Sequence, residues 1–239
     1  MTLYLGDCRE VLPALGVQAD CIVADPPYGE TSLAWDRWPD GWLDVAATVT
    51  RSLWCFGSLR MYLERAAEFA AWKLSQDVIW EKHNGSGFTR DRFRRVHEQP
   101  THWYRGQWRS VYHAEPRTSV TETQKTRSAA RRGTGKHHGD LRTAQIYEYD
   151  GSRITRSVIR ARSMQRIGIH PAEKPADILS PLIDYACPPG GLVVDPFAGS
   201  GSTLDAARAS GRRAIGVEAY ERYAEKAAKR LCQGFLEFT

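Results

Sequence analysis

Asp25-Pro26-Pro27-Tyr28 follows directly on an apolar run, Cys21-Ile22-Val23-Ala24. A strand that ends on a carboxylate and then turns through two prolines puts an acceptor into backbone that cannot move much. The prolines fix φ and remove N–H donors that would compete for that acceptor. Asp25 and the Pro26 carbonyl could then take the two hydrogens of an amine while Tyr28 offers a ring for stacking. The work such a turn can do is positioning and electrostatic stabilisation. The plainer alternative is that Asp-Pro-Pro simply ends a strand.

A second stretch, "LVVDPFAGSGSTLDAA" from position 192, sets a glycine-rich turn between a buried strand and a helix start. Gly199 and Gly201 allow close backbone approach, and the helix N-terminus offers unpaired N–H groups to a carboxylate or phosphate. No Lys follows the glycines, so this is not a Walker A loop, and it is not a clean GxGxxG. Glu218 ends the next strand, seventeen residues after Gly201, where an acid can accept ribose hydroxyls. A nucleoside cofactor without a long phosphate chain is the indicated ligand.

Other candidates fall away. Cys8, Cys21, Cys55, Cys187 and Cys232 are scattered without a CxxC pair, which argues against disulfides and a cysteine zinc site and fits a reducing cytoplasm. "HEQPTH" has His97 and His102 five apart with Pro100 between, so the imidazoles would not share a helix face, and no metal site is expected. The amino terminus does not resemble a signal peptide, and no apolar run is long enough for a membrane span.

The elements that must position these groups alternate. Strand-like "LYL", "DCIVAD", "SLWCFG" and "QDVIWEK" are interspersed with helical "CREVLPAL" (broken near Pro13), "WLDVAATVTR" and a long amphipathic "RMYLERAAEFAAWKL". After Arg166 the pattern resumes. A helix starts at Pro175, with Pro181 a candidate kink, and strand "LVVD", helix "GSTLDAARAS" capped by Gly211, strand "RRAIGVE" and helix "YERYAEKAAKRL" follow. Continuous apolar strands between helices predict an α/β fold with a parallel sheet covered on both faces. Between them the periodicity is lost, apart from strand-like pieces at "QIYEYD" and "SRITRSVIR". From Arg105 to Arg166 there are fourteen Lys or Arg against five Asp or Glu, whereas the rest of the 239 residues has nineteen against twenty-three. That segment reads either as a solvated surface or as an electrostatic footprint for a polyanion.

The ordered pair "DPPY" and "DPFAGSGST" resembles the S-adenosylmethionine-dependent DNA amino-methyltransferases, which modify adenine N6 or cytosine N4. The DPPY tetrapeptide comes first, the basic segment second and the glycine loop last, as in the β-class arrangement. "YLGDC" (4–8) is similar to the family's N-terminal GD element, and "HPAEKP" (170–175) to its HPxxKP element. Ser202 stands where the family loop often has a threonine. The resemblance implies a Rossmann-like, mostly parallel seven-stranded sheet, circularly permuted, with an inserted basic target-recognition region. The expected division is a catalytic half at 1–105, the inserted region at 106–166 and a cofactor-binding half at 167–239.

The resemblance also implies roles. Asp25, Pro26, Pro27 and Tyr28 would be catalytic, acting on a base flipped out of double-stranded DNA. Asp25, Asp195, Phe197, Gly199, Ser200, Gly201, Ser202 and Thr203 would line the S-adenosylmethionine site, with Glu218 at the ribose, Asp7 and Cys8 at the adenine end, and His170 and Lys174 near the cofactor carboxylate. Arg131, Arg132, Lys136, Arg142, Arg153, Arg156, Arg160 and Arg162 would contact DNA. Asp rather than Ser at position 25 favours adenine N6. Cytosine N4 and a catalytically inactive DNA-binding protein are the alternatives, and no Pro-Cys nucleophile supports a carbon-5 enzyme. A homodimer and a partner restriction enzyme are left open.

Overall fold

The computed structural model describes residues 1–86, 90–119, 151–164 and 173–233. Residues 1–114 with 157–239 form one compact unit and residues 115–156 a second. In the second unit the described strands, Arg117–Ser119 and Ser152–Ile154, pair antiparallel. Everything below concerns the first unit unless stated.

In chain order the elements of the first unit begin with β1 (Thr2–Leu5), α1 (Cys8–Leu15), β2 (Cys21–Ala24), α2 (Trp42–Val49), β3 (Ser52–Cys55) and α3 (Leu59–Glu64). Next come β4 (Lys73–Asp77), β5 (Ile79–Ser86), β6 (Arg95–Glu98) and β7 (Thr101–Tyr104). The second unit's two strands are β8 and β9, and the chain returns with β10 (Val158–Arg160), α4 (Ala176–Ala186), β11 (Leu192–Asp195), α5 (Ser202–Ala209), β12 (Arg213–Glu218) and α6 (Glu221–Gln233). Seven strands make the main sheet in the order β1-β12-β11-β2-β3-β7-β4. Neighbours from β1 to β3 are parallel, and only β7 runs against the rest. The fold is therefore α/β, Rossmann-like and mostly parallel.

The continuous apolar run of β2 is explained by burial on both faces. Cys21 and Val23 join a cluster with Trp54, Phe56 and the α4 residues Ile178, Leu179 and Leu182. Ile22 and Ala24 join the opposite cluster with Leu12, Trp42, Leu43 and Leu53. A strand sandwiched in this way cannot alternate polar and apolar residues.

Three sequence expectations give way to tertiary packing. The long helix across "RMYLERAAEFAAWKL" is only the six-residue α3, capped by Ser58 Oγ accepting from Met61 N at 3.0 Å. The chain then turns so that Phe69 and Trp72 are buried, with Phe69 tilted against Trp103 at 4.5 Å between centroids, and Lys73 enters the sheet. Burial of two large rings outweighs a weak helix preference. The single strand across "QDVIWEK" is two. At Val78 the chain leaves the main sheet, and β5 builds a separate three-stranded sheet, β10-β5-β6. Finally, α1 runs unbroken through Pro13 and ends at Gly16 (φ 57°), whereas α4 spans ADILSPLIDYA as expected. In α1 the missing N–H falls in the last turn of a short helix. "QIYEYD" lies outside the described residues.

Candidate active site

β2 and β11 are neighbours in the sheet, with Ile22 opposite Val194, so Asp25 and Asp195 leave the same edge although they are far apart in sequence. The turn after β2 and the loop after β11 share a cavity of about 390 Å³, within the range of small-molecule sites. Asp25, Pro26, Pro27 and Tyr28 line one side, and Asp195, Phe197, Gly199, Ser200, Ser202 and Thr203 another. Asp7, Cys8, Lys174 and Glu218 also border it.

Asp25 is held by two donors. The Tyr28 hydroxyl donates to Oδ1 at 2.8 Å, and the Lys174 ammonium donates to Oδ2. Lys174 also faces Glu98 Oε2 at 3.4 Å, and Glu98 Oε1 accepts from Lys82. Two acids and two bases thus form a compact, nearly neutral cluster at the cavity wall. Burial lifts Asp25 above the usual carboxylate range, with Lys174 pulling the other way and Glu98 adding to the rise. For Glu98 burial also resists ionisation, but Lys174 and Lys82 outweigh it and hold the carboxyl low. Lys174 resists deprotonation because its two acids outweigh its burial.

The loop beyond Tyr28 is tied by a residue that no motif marks. Asp36, almost wholly buried, accepts from Gly29 N at 2.8 Å through Oδ1 and from Thr31 N at 2.7 Å through Oδ2. Burial works against its ionisation, yet these hydrogen bonds prevail and its pKa is lowered. Glu30 accepts from Ser58 Oγ and pairs with Arg95 at 3.4 Å.

On the other side Glu218 fastens the glycine loop. Its Oε2 accepts from Gly199 N at 2.8 Å and its Oε1 from Tyr220 N at 2.9 Å. Each oxygen keeps acceptor capacity, as a ribose diol requires. Burial raises Glu218, and it raises Asp195 to about 7 even though Asp195 accepts from Phe197 N at 2.9 Å. No side chain caps α5 at Gly201, so its first-turn N–H groups are available to an anion. Phe197 is braced edge-on by Trp42, with centroids 5.2 Å apart. These features fit a nucleoside carrying a carboxylate tail.

Some placements differ from expectation. Gly201 is not a lining residue. Its left-handed backbone (φ 77°) and tight packing face Ala227 and Leu231 of α6, where an added Cβ would lie 3.3 Å from the Ala227 Cβ. Asp7 spends its carboxylate capping α1 through Arg9 N at 2.9 Å and pairing with the Arg9 side chain. The Cys8 thiol, buried, is pushed up to about 12 and stays unreactive. Lys174, expected near the cofactor carboxylate, lines the cavity and also sits against Asp25 and Glu98. His170, Arg131, Arg132, Lys136 and Arg142 lie outside the described residues. Of the remaining basic candidates, Arg153 and Arg156 belong to the second unit, and Arg160 on β10 pairs with Glu81 at 2.7 Å while Arg162 follows it. Among the described residues no cluster suited to a metal ion exists, and no helix is long and apolar enough to cross a membrane.

Proteins similar to the chain are known. A family model described as DNA methylase, of the N6/N4 type, matches residues 19–229. Over 96% of its length the chain is 28% identical to the type II methyltransferase M.HinfI of Haemophilus influenzae, spanning 68% of that protein. A stretch of 62 residues, 26% of this chain, is 53% identical to YubD of Escherichia coli (strain K12), an inferred methylase, and spans 27% of it. The fold is shared with the M1.HpyAVI–SAM complex (TM-score 0.65, 19% identity, 96% of this chain and 98% of that one). It is also shared with the PvuII DNA methyltransferase, cytosine-N4-specific (TM-score 0.63, 15% identity, 95% and 85%).

Proposed function

Because the chain belongs to the N6/N4 DNA methylase family, we propose that it transfers a methyl group from S-adenosylmethionine to adenine N6 of a base extruded from double-stranded DNA. The observation that carries this reading is the shared cavity, with Asp25-Pro26-Pro27-Tyr28 on one wall and the Glu218-fastened glycine loop on the other.

An exocyclic amine is a poor nucleophile because its lone pair is delocalised into the ring. Asp25 accepts one amine hydrogen and the Pro26 carbonyl the other, which localises that lone pair. Asp25 is suited to the task because Lys174 and Tyr28 fix both of its oxygens while leaving each further acceptor capacity. Tyr28 gives the extruded base a stacking face, worth about 1–3 kcal/mol per base in single-strand binders and comparable to the cost of unstacking. Glu218 holds ribose hydroxyls, the uncapped start of α5 takes the carboxylate, and Phe197 supplies an apolar wall. S-adenosylmethionine, when bound, supplies an electrophilic methyl. The basic segment tracks the phosphates, so binding weakens steeply with salt.

The second reading is cytosine N4, favoured by the shared fold of the cytosine-N4-specific PvuII enzyme. Aspartate at position 25 supports adenine. Incubating unmethylated DNA with the protein and S-adenosylmethionine, then digesting to nucleosides for mass spectrometry, decides between them. N6-methyl-2′-deoxyadenosine is expected. N4-methyl-2′-deoxycytidine would replace the first reading, and no methylated deoxynucleoside would remove both.

A further inference from the structure

The segment between β5 and β6 is not explained by anything above. From Arg90 to Arg95 it carries four arginines, one aspartate and Phe93. Phe93 is fully exposed, which no other large apolar residue among those described matches. A lone exposed apolar residue needs no explanation by itself, but this ring has two further features.

The first is where the segment leads. β6 carries Glu98 at the cavity wall and Arg95 at the rim, where Arg95 pairs with Glu30, itself a lining residue. Phe93 lies two residues beyond, and five residues of chain span at most about 18 Å. Phe93 therefore lies within about 7 Å, Cα to Cα, of Arg95, whose guanidinium reaches the lining residue Glu30. The second is how the segment is built. Arg94 lies across Gly85 of β5, where any added Cβ would come within 2.6 Å of its side chain, and its Nη2 points at the Gly85 carbonyl at 3.4 Å. The β5–β6 register also shifts between Glu81 and Ser86. Arg90 and Arg92 flank the ring, and the Arg92–Asp91 pair at 3.0 Å is exposed enough to yield to a phosphate.

We infer that this arginine-flanked tip is a second DNA-contacting element, in which Phe93 wedges into the duplex beside the target and fills the gap left by the extruded base while the arginines hold the flanking phosphates. This inference rests on the methyltransferase reading above. An apolar wedge of this kind offsets the loss of stacking on extrusion, so its benefit is confined to targets that must be unpaired.

The test uses the full chain. The methylated sequence is mapped by sequencing DNA from a host expressing the protein, and two short duplexes are made, one fully paired and one with the target base opposite an abasic position. Phe93→Ala should lower kcat/KM at least tenfold on the paired duplex and less than threefold on the abasic one. Phe93→Trp should keep wild-type rates on both. Equal losses on the two duplexes, or no loss on the paired one, overturn the wedge while leaving the methyltransferase reading intact. Wild-type protein that methylates no DNA removes that reading first and the wedge with it.

Discussion

Replacing Lys174 with methionine probes the cluster that holds Asp25. Lys174 is 6% exposed, with Asp25 Oδ2 in direct contact and Glu98 Oε2 at 3.4 Å. At an effective dielectric near 20, one such pair at this separation amounts to roughly 5 kcal/mol before desolvation is subtracted. Methionine keeps most of the volume but leaves two partly buried carboxylates, Asp25 and Glu98, without their shared cation. Losing one partner of a buried ion pair costs about 3–5 kcal/mol, which in a chain of this size lowers Tm by about 6–20 °C. Asp25, already raised by burial, moves further up because its main counter-charge is gone. The acidic limb of the methylation pH–rate profile should then move to higher pH, since Asp25 must be ionised to accept the amine hydrogen. Adding Glu98→Gln removes the repulsion and should recover part of the stability, giving a coupling of about 1–3 kcal/mol. Chemical denaturation and single-turnover rates across pH 5.5–9 measure both effects. A loss below about 1 kcal/mol, with the acidic limb unmoved, would refute the assignment of Lys174 as the group that keeps Asp25 charged.

Three further outcomes are expected. Asp25→Ala should abolish methyl transfer while cofactor binding, followed by titration calorimetry, stays within about threefold; an unchanged rate removes Asp25 from the mechanism. Asp195, raised to about 7 by burial, is ionised in the unfolded chain but protonated in the fold between about pH 4 and 7. The unfolded state therefore binds fewer protons there, and stability falls as pH rises through that window, by up to about 4 kcal/mol; the fall in unfolding free energy should be smaller in Asp195→Asn. Gly216→Ala puts a Cβ 2.9 Å from Ala198 and Leu204, and such overpacking costs about 1–3 kcal/mol. Because Ala198 adjoins the glycine loop, that variant should also raise the KM for S-adenosylmethionine.

What could be read from the residues alone was whatever is local. β2, β11 and β12 announce themselves as short apolar runs that lead into Asp or Glu, and the turns after β2 and β11 carry proline or glycine. The charged cluster was not legible, because Lys82, Glu98 and Lys174 come from separate segments and meet only when β5, β6 and the lead into α4 pack together. Asp36 was missed for a related reason, since its role depends on a loop folding back on the amides of Gly29 and Thr31. The α3 region misled because its helical spacing is real, while Phe69 packs on Trp103 and Trp72 lies under Arg105, partners that local spacing does not reveal. The resemblance sets Lys174 near the cofactor carboxylate; its ion pair with Asp25 links that motif to the Asp25-Pro26-Pro27-Tyr28 turn.

The strand order has a consequence for synthesis. β12 and β11 sit between β1 and β2, so the first-made strands are neighbours only through the last-made ones. After β3 has emerged, some 160 residues must still be translated before β12 can be inserted, roughly 8–30 s at ordinary bacterial elongation rates. Throughout that interval the flanks of β1 and β2 stand open and sticky. A nascent chain of this design has reason to engage chaperones early, and a chain that stops before Arg213 leaves β1 without its partner strand.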